Sequence, residues 1–214
     1  MAQTTAAETS TLSSVEVRRA TPADIPRLKG VLARAFDEDP FLNWFIRQDV
    51  KRDQRFERAM EVALTKMSNG LNETWTAERL EGGALWRRPG EVKMSALQSL
   101  ALTPPFASVT GWSGLMRFVN AMNEFEKKHE HYAPEEHYYL FVLGVEPEFQ
   151  GKGIGGQLMK PVLDRADSEK QPCYLESSNP RNIPFYERHG FRVMEELKAH
   201  PTAPPVACMR RDPR

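Results

Sequence analysis

Cysteine is scarce in this chain of 214 residues: only Cys173 and Cys208 occur, each in a short apolar run near the C-terminus. Two thiols placed on buried strands are expected to stay reduced, which argues against a disulfide framework. Neither sign of charge is in excess, since Lys plus Arg and Asp plus Glu both total 29. With no global field to draw nucleic acid, an anionic membrane or an acidic protein, the expected partner is a small molecule. No apolar run approaches the length of a membrane span. The opening MAQTTAAETSTLSS has neither a basic start nor an apolar core, so residues 1–14 read as a disordered lead rather than a signal peptide, and a cytoplasmic location is expected. There is no linker and no internal repeat, so residues 15–214 are expected to form one α/β domain, as a monomer or homodimer. Gly-Lys-Ser and Gly-Lys-Thr are both missing, which excludes a Walker A loop.

What the chain does contain is regular alternation of strand and helix signals. Val15 to Arg19 alternates apolar and charged residues as a half-exposed strand does. Thr21-Pro22 then supplies a cap and a first-turn proline for a helix reaching about Phe36, with Ile25, Leu28, Val31, Leu32 and Ala35 on one face. Asp37 to Phe41 breaks that helix; a second is expected from Asp49 to Met67, stopped by Asn69-Gly70. Thr74 to Glu78 and Ala84 to Arg88 read as a hairpin. Helical stretches near Val92 to Leu102 and Gly114 to His129 are expected to be interrupted by Thr103-Pro104-Pro105. Tyr138 to Val145 (YYLFVLGV) is nearly all apolar and reads as a strand buried on both faces. A loop and a helix from Gly153 to about Glu169 follow, with a kink expected at Pro161. A strand Cys173 to Glu176, a turn, a short helix Ile183 to His189 ending at Gly190, and strands Arg192 to Leu197 and Val206 to Arg210 complete the pattern.

The segment QGKGIGG, Gln150 to Gly156, lies between the apolar strand and an amphipathic helix, where backbone N–H groups and the helix dipole can receive a phosphate. Gly151, Gly153 and Gly156 also fit the dinucleotide pattern GxGxxG, with Glu176 about twenty residues on. Two features argue against that reading. Glu146 to Gln150 separates the glycines from the strand, and too little chain follows to complete such a sheet. A glycine-rich turn with no ligand is the other alternative.

The run from strand through V-x-P-x-x-Q-G-x-G-I-G to helix resembles the acetyl-CoA signature of the GNAT superfamily of N-acetyltransferases, with Gln150, Gly153 and Gly155 in its fixed places. A second block, Asn179 to Phe191 (NPRNIPFYERHGF), looks like the later segment of the same family, with Pro184 where Ala is common. Within the superfamily the chain looks most like the puromycin N-acetyltransferase type, on VRRATPADIP, GGALWRRP, LGVEPEFQGKGIG, LESSNPRNIPFYERHGF and a C-terminal Cys-Met; residues 91–136, which would shape the acceptor pocket, match poorly.

This resemblance implies a GNAT fold, a mixed and mostly antiparallel sheet flanked by helices, in which the strands ending at Val145 and Glu176 splay to admit acetyl-CoA as co-substrate. Leu143 and Val145 would pair with its pantetheine arm, and the Val145 N–H would polarise the thioester carbonyl. Gln150, Gly151, Lys152, Gly153, Ile154, Gly155 and Gly156 would cradle the pyrophosphate, Lys152 either adding charge or facing solvent. Tyr186 corresponds to the family's general acid, the alternative being a core aromatic beside Phe185. Glu176 is the candidate base, acting through a water, or else a cap for the following turn. Asn182 would bond the pantetheine or a phosphate, or cap a helix. The implied reaction is direct transfer of acetyl to a primary amine of a small molecule such as an aminonucleoside antibiotic, without a covalent enzyme intermediate. Acetylation of a protein N-terminus or lysine, and acyl-CoA sensing without turnover, are the rival readings. The acidic run Asp37-Glu38-Asp39 beside Phe41, Trp44 and Phe45 would either attract a cationic aromatic acceptor or be a solvated helix end. His129, Glu130 and His131 read as surface residues with no third ligand, so no metal is expected.

Overall fold

The computed structural model describes residues 15–68, 71–91 and 96–214; the expected disordered lead, the Asn69-Gly70 helix stop and the start of the helix expected from Val92 lie outside the described residues. Among the described residues the strands are β1 (Val17–Arg19), β2 (Thr74–Ala77), β3 (Gly82–Arg87), β4 (Tyr138–Val145), β5 (Cys173–Ser177), β6 (Arg192–Leu197) and β7 (Val206–Arg211). They form one sheet in the order β1-β2-β3-β4-β5-β7-β6. Every pairing is antiparallel except β4 with β5, which is parallel and confined to Tyr138–Leu140 against Cys173–Leu175. Cys173 and Cys208 are free and buried on the adjacent strands β5 and β7.

The expected strand Tyr138 to Val145 is present with those bounds, but its residues alternate between buried and half-buried. The strand also carries a bulge. Leu85 pairs with Val142 while Trp86 pairs with Leu140, so Phe141 is an extra residue and the side-chain alternation slips there. Tyr138, Leu140, Leu143 and Val145 accordingly pack with helix α5 (Ile154–Ser168), whereas Tyr139 and Val142 pack in the cluster that holds α1 (Ile25–Ala35). Gly144 belongs to the α1 face: a Cβ there would lie 2.9 Å from Leu32 and 3.0 Å from Ala35.

Helix α1 opens through a turn at Pro22–Asp24, where Asp24 closes a capping box with Thr21, and Leu28, Val31 and Leu32 are buried as their spacing requires. Past the helix break expected at Asp37 to Phe41, a short helix α2 (Pro40–Phe45) is started by Asp39, whose carboxylate accepts the Leu42 N–H at 2.8 Å. Helix α3 (Arg52–Val62) then widens into a π turn over Ala63–Met67. The long helix α4 (Ala96–Tyr132) runs through Pro104 and Pro105; its break falls instead at Gly111, at φ 68° and ψ 174°. A proline removes one donor and crowds one turn, while a left-handed φ ends the helical path outright and favours glycine. Helix α5 likewise continues through Pro161 to Ser168. A six-residue helix α6 (Ile183–Arg188) stands over the start of α5.

Candidate active site

Beyond Leu140 no residue of β5 pairs with β4, so the middle of the sheet opens into a wedge. Leu143 and Val145 lie on the open part of β4, half-buried against the α5 side. At the mouth of the wedge, a 3-10 turn Pro147–Phe149 leads into the glycine loop. The Gln150 side chain folds back to donate to the Val145 carbonyl at 3.0 Å, and its N–H donates to the Pro147 carbonyl at 3.3 Å. Gln150 therefore ties the loop to the strand end.

The glycines divide by physical cause. Gly151 and Gly153 sit at φ 76° and 81°, and a Cβ on either would meet nothing within 4 Å. Conformation requires glycine there, and the space above both is open. Gly155 and Gly156 have crowded neighbours instead: a Cβ would come to 3.1 Å from the Phe185 ring and 2.8 Å from His189 Nε2. Their smallness lets α6 close on the first turn of α5, whose N–H groups lack intrahelical partners by helix geometry. Ile154 anchors that turn by burying its side chain in the core, leaving only its backbone to a ligand. Lys152 is exposed, its Nζ 4.8 Å from the centroid of the Phe149 ring. A loop with two left-handed glycines, open space above them and a helix N-terminus behind fits a pyrophosphate.

From the wedge a cavity of about 610 Å³ runs beneath α4, and both Glu176 and Tyr186 line it. Glu176, one residue before the end of β5, is nearly buried, with Oε2 accepting from the Tyr139 hydroxyl at 2.7 Å and Oε1 left without a hydrogen-bond partner. Burial lifts its pKa from 4.5 to about 7, against the bond from Tyr139, which acts to lower it. Tyr186, on α6, stacks edge-on against Phe185 and Phe191. Burial, reinforced by the charge of Asp39, holds its hydroxyl protonated well above the usual tyrosine range. Asn182 also lines the cavity, and its side chain makes no cap hydrogen bond; the turn is capped by Asn179, which accepts the Arg181 N–H at 3.1 Å.

Asp39 and His129 also line this cavity. Asp39 is buried in the cavity wall, where it accepts from the Ser178 hydroxyl, and burial raises its pKa. Asp37 and Glu38 are exposed, so within the acidic run only Asp39 is withdrawn from solvent. His129 is buried rather than on the surface, bonded to His137 and lining the same cavity. Its position on the inner face of α4 follows from packing on β4 and β5, which its local sequence does not record. Phe106, Phe118 and Phe125, also on α4, give the cavity an aromatic wall, so the stretch that resembled its relatives least supplies much of the pocket lining.

Residues 113–191 match the family model described as Acetyltransferase (GNAT) family. An uncharacterized N-acetyltransferase of Schizosaccharomyces pombe is 40% identical over 60 residues, 28% of this chain and 24% of that protein. The chain thus spans about a quarter of the length of the curated relatives it matches. Among solved structures, the histone acetyltransferase HPA2 and related acetyltransferase of Corynebacterium glutamicum superposes with a TM-score of 0.67 at 23% identity, over 94% of this chain and 97% of that one. An N-acetyltransferase of Thermoplasma acidophilum in complex with coenzyme A gives a TM-score of 0.52 at 16% identity, over 93% and 99%. These likenesses establish a fold shared with acetyltransferases.

Proposed function

We propose that this chain, which carries a GNAT-family acetyltransferase domain over residues 113–191, is an acyltransferase that moves acetyl from acetyl-CoA to a primary amine of a small molecule. The observation that carries this reading is the meeting of Glu176 and Tyr186 in one cavity that opens from the gap between β4 and β5. Leu143 and Val145 offer the unpaired backbone edge of β4 to the pantetheine arm, and the Val145 N–H faces the thioester carbonyl. Gly151 to Gly156, with Lys152 at the rim, receive the pyrophosphate, Gln150 braces that loop, and Asn182 contacts the arm. Bound there, acetyl-CoA supplies the acyl group as a thioester.

An alkylammonium with a pKa near ~10 must lose a proton before its nitrogen can attack. Glu176, with a pKa raised to about 7, is partly ionised at neutral pH and basic enough to take that proton. The Tyr186 hydroxyl, protonated throughout the neutral range, holds the proton that the departing sulfur needs. The aromatic wall and the buried carboxyls of Asp39 and Glu176 favour an acceptor with an aromatic body and a cationic amine. With the sequence blocks quoted above, this makes an aminonucleoside of the puromycin kind the first acceptor to try, with a resistance role in the cytoplasm and residues 15–214 acting as one domain.

The test is thiol release from acetyl-CoA with puromycin, with simple arylalkyl amines, and with lysine or N-terminal peptides. Puromycin-dependent release supports the aminonucleoside reading, and release with simple amines alone keeps the small-molecule reading without it. Turnover of peptides alone overturns the small-molecule acceptor. Tight acetyl-CoA binding with no release on any amine overturns the enzyme reading in favour of a sensor.

A further inference from the structure

The parallel pairing of β4 with β5 stops at Leu140 and Leu175, so Glu176 is the first residue of β5 beyond it. Tyr139 pairs with Tyr174, and side chains two apart on a strand share a face, so Tyr139, Tyr174 and Glu176 stand on one side of the sheet. Helix α4 covers that side, its His129 ring lying 4.6 Å from the Tyr139 ring and 4.3 Å from that of Tyr174. The Tyr139 side chain reaches forward along the sheet, and its hydroxyl donates to Glu176 Oε2 at 2.7 Å, across the point where the strands part. Oε1 of the same carboxyl is buried without a hydrogen-bond partner, with His129 Nδ1 4.0 Å away.

The two oxygens therefore differ in kind. Oε2 already has its donor: burial, reinforced by the charge of Glu176, keeps the Tyr139 phenol protonated well above the usual tyrosine range, so it donates at every pH at which a carboxylate base works. An ionised carboxyl accepts at both oxygens, and a buried acceptor without a donor carries a desolvation cost that an incoming N–H removes. Tyr139 and Glu176 line the same cavity, which is where that donor would come from.

We propose that Tyr139 is the positioning residue of the base: it clamps Oε2 of Glu176, so that Oε1 is the atom that meets the acceptor's ammonium and takes its proton. This rests on Glu176 being the base. In that step an N–H bond of the ammonium breaks with its electron pair left on nitrogen, and an O–H bond forms at Oε1. Amine and carboxyl are then both neutral, with Oε2 still accepting from Tyr139, and the proton passes to water when product leaves. A hydroxyl bonds more strongly to a carboxylate than to a carboxylic acid, so against the burial that raises the Glu176 pKa the Tyr139 bond holds the base nearer to ionisation. Other titratable and charged groups face the pair. Tyr174 from β5 acts on Glu176 in the same direction as Tyr139, and Glu126 from α4 acts against it. His129 approaches from α4, Cys208 lies opposite Glu176 on β7, and the charge of Arg87 on β3 acts on Tyr139. Asp39 before α2 and Tyr186 on α6 line the same cavity.

The experiment compares the acid limb of kcat/KM for puromycin, or for phenethylamine if puromycin is not turned over, in the wild type, Tyr139→Phe and Glu176→Gln at saturating acetyl-CoA. That limb reports the enzyme before the amine binds, and one amine is used throughout so that its own titration cancels. Tyr139→Phe keeps the ring contacts with Phe141 and Tyr174 and removes only the hydroxyl. Its limb is expected to move up by about one pH unit from about 7, which lowers kcat/KM about fivefold at pH 7, with acetyl-CoA affinity as in the wild type. On the plateau above the limb a loss of about threefold should remain, because the unclamped carboxylate spreads over its staggered rotamers. A limb that stays or moves down overturns the proposal, as does full recovery on the plateau or an equal loss at every pH. If Glu176→Gln keeps the full rate, the base assignment fails and the proposal with it; if Glu176→Gln loses the limb but Tyr139→Phe keeps the wild-type profile, only the proposal fails. The ¹³C resonance of the Glu176 carboxyl, identified by its loss in Glu176→Gln, needs no turnover, and a midpoint that Tyr139→Phe leaves in place overturns the proposal. Should Tyr139→Phe not fold, 3-fluorotyrosine at position 139 answers instead: fluorine makes the phenol a stronger donor, so the midpoint is expected to move down, and one that stays or rises overturns the clamp.

Discussion

Glu176 is held against its own ionisation, and this fixes the sign of two pH effects. Its pKa rises from 4.5 to about 7 on burial, so between those values the folded protein binds a proton that the unfolded chain has released. Stability from this group is complete below about pH 4.5 and declines as pH rises through about 7. Replacing Glu176 with Gln is therefore expected to leave stability nearly unchanged at pH 4.5 and to raise the unfolding free energy by about 3 kcal/mol, and the melting temperature with it, at pH 8. Equal effects at both pH values would show that Glu176 is ionised normally. Activity moves the other way, because the base works only when ionised: the wild-type rate should climb through about pH 7 and the Gln variant should lose the limb. Tyr186 tests the second proton. Tyr186→Phe keeps the edge-on packing against Phe185 and Phe191 and removes only the hydroxyl, so kcat is expected to fall about 10²-fold with acetyl-CoA affinity unchanged. A rate equal to wild type would make Tyr186 a core aromatic.

At the scale of elements, the glycine loop separates conformational from steric need. Gly156→Val places a Cβ 2.8 Å from Nε2 of the His189 ring, which is held by its bond to the Phe185 carbonyl, so the ring must give up that bond and both stability and CoA affinity should drop. Gly151→Ala meets nothing and should cost only the strain of a left-handed φ, about 1–2 kcal/mol of stability. Thermal melts and CoA titrations of the two variants decide this; equal losses would mean that the division by cause is wrong. The strand–loop–helix unit from Tyr138 to Ser168 was legible in the sequence because each part has its own local signal: apolar run, glycines, helical period. The bulge at Phe141 was not, since an extra residue is visible only against its partner strand. The break in α4 falls at Gly111 and not at Pro104 and Pro105, which carry the stronger composition signal. The pairing of His129 with His137 and the burial of Asp39 depend on tertiary contacts, so the local pattern places His129 on the surface and leaves Asp39 between an acceptor-attracting acidic run and a solvated helix end.

Across the whole molecule, the wedge weakens the sheet at its centre, where β4 and β5 share only a three-residue parallel pairing. The strands on the β1 side are secured to helix α5 by Glu73, just before β2. Its side chain is 1% exposed and meets Arg19 at the end of β1, Arg88 after β3 and Arg165 on α5, at 2.9, 2.6 and 2.6 Å. Burial opposes ionisation here as well, but the guanidiniums outweigh it and hold the Glu73 pKa below its usual value. The linkage is therefore opposite to that of Glu176: this stability is present above the ordinary carboxylate pKa and is lost as pH falls through the depressed one. Glu73→Gln should destabilise by on the order of 2 kcal/mol at pH 7, less than a fully buried pair because the three arginines reach solvent, and lower the melting temperature by about 4–8 °C. The deficit should shrink as the solution is acidified below about pH 4.5. Because α5 also carries the glycine loop, loosening Arg165 should weaken CoA binding without moving the acid limb of the rate, which belongs to Glu176. A Gln variant that melts with the wild type at pH 7 would mean that α5 is held by its apolar face alone, through Leu158, Met159 and Val162.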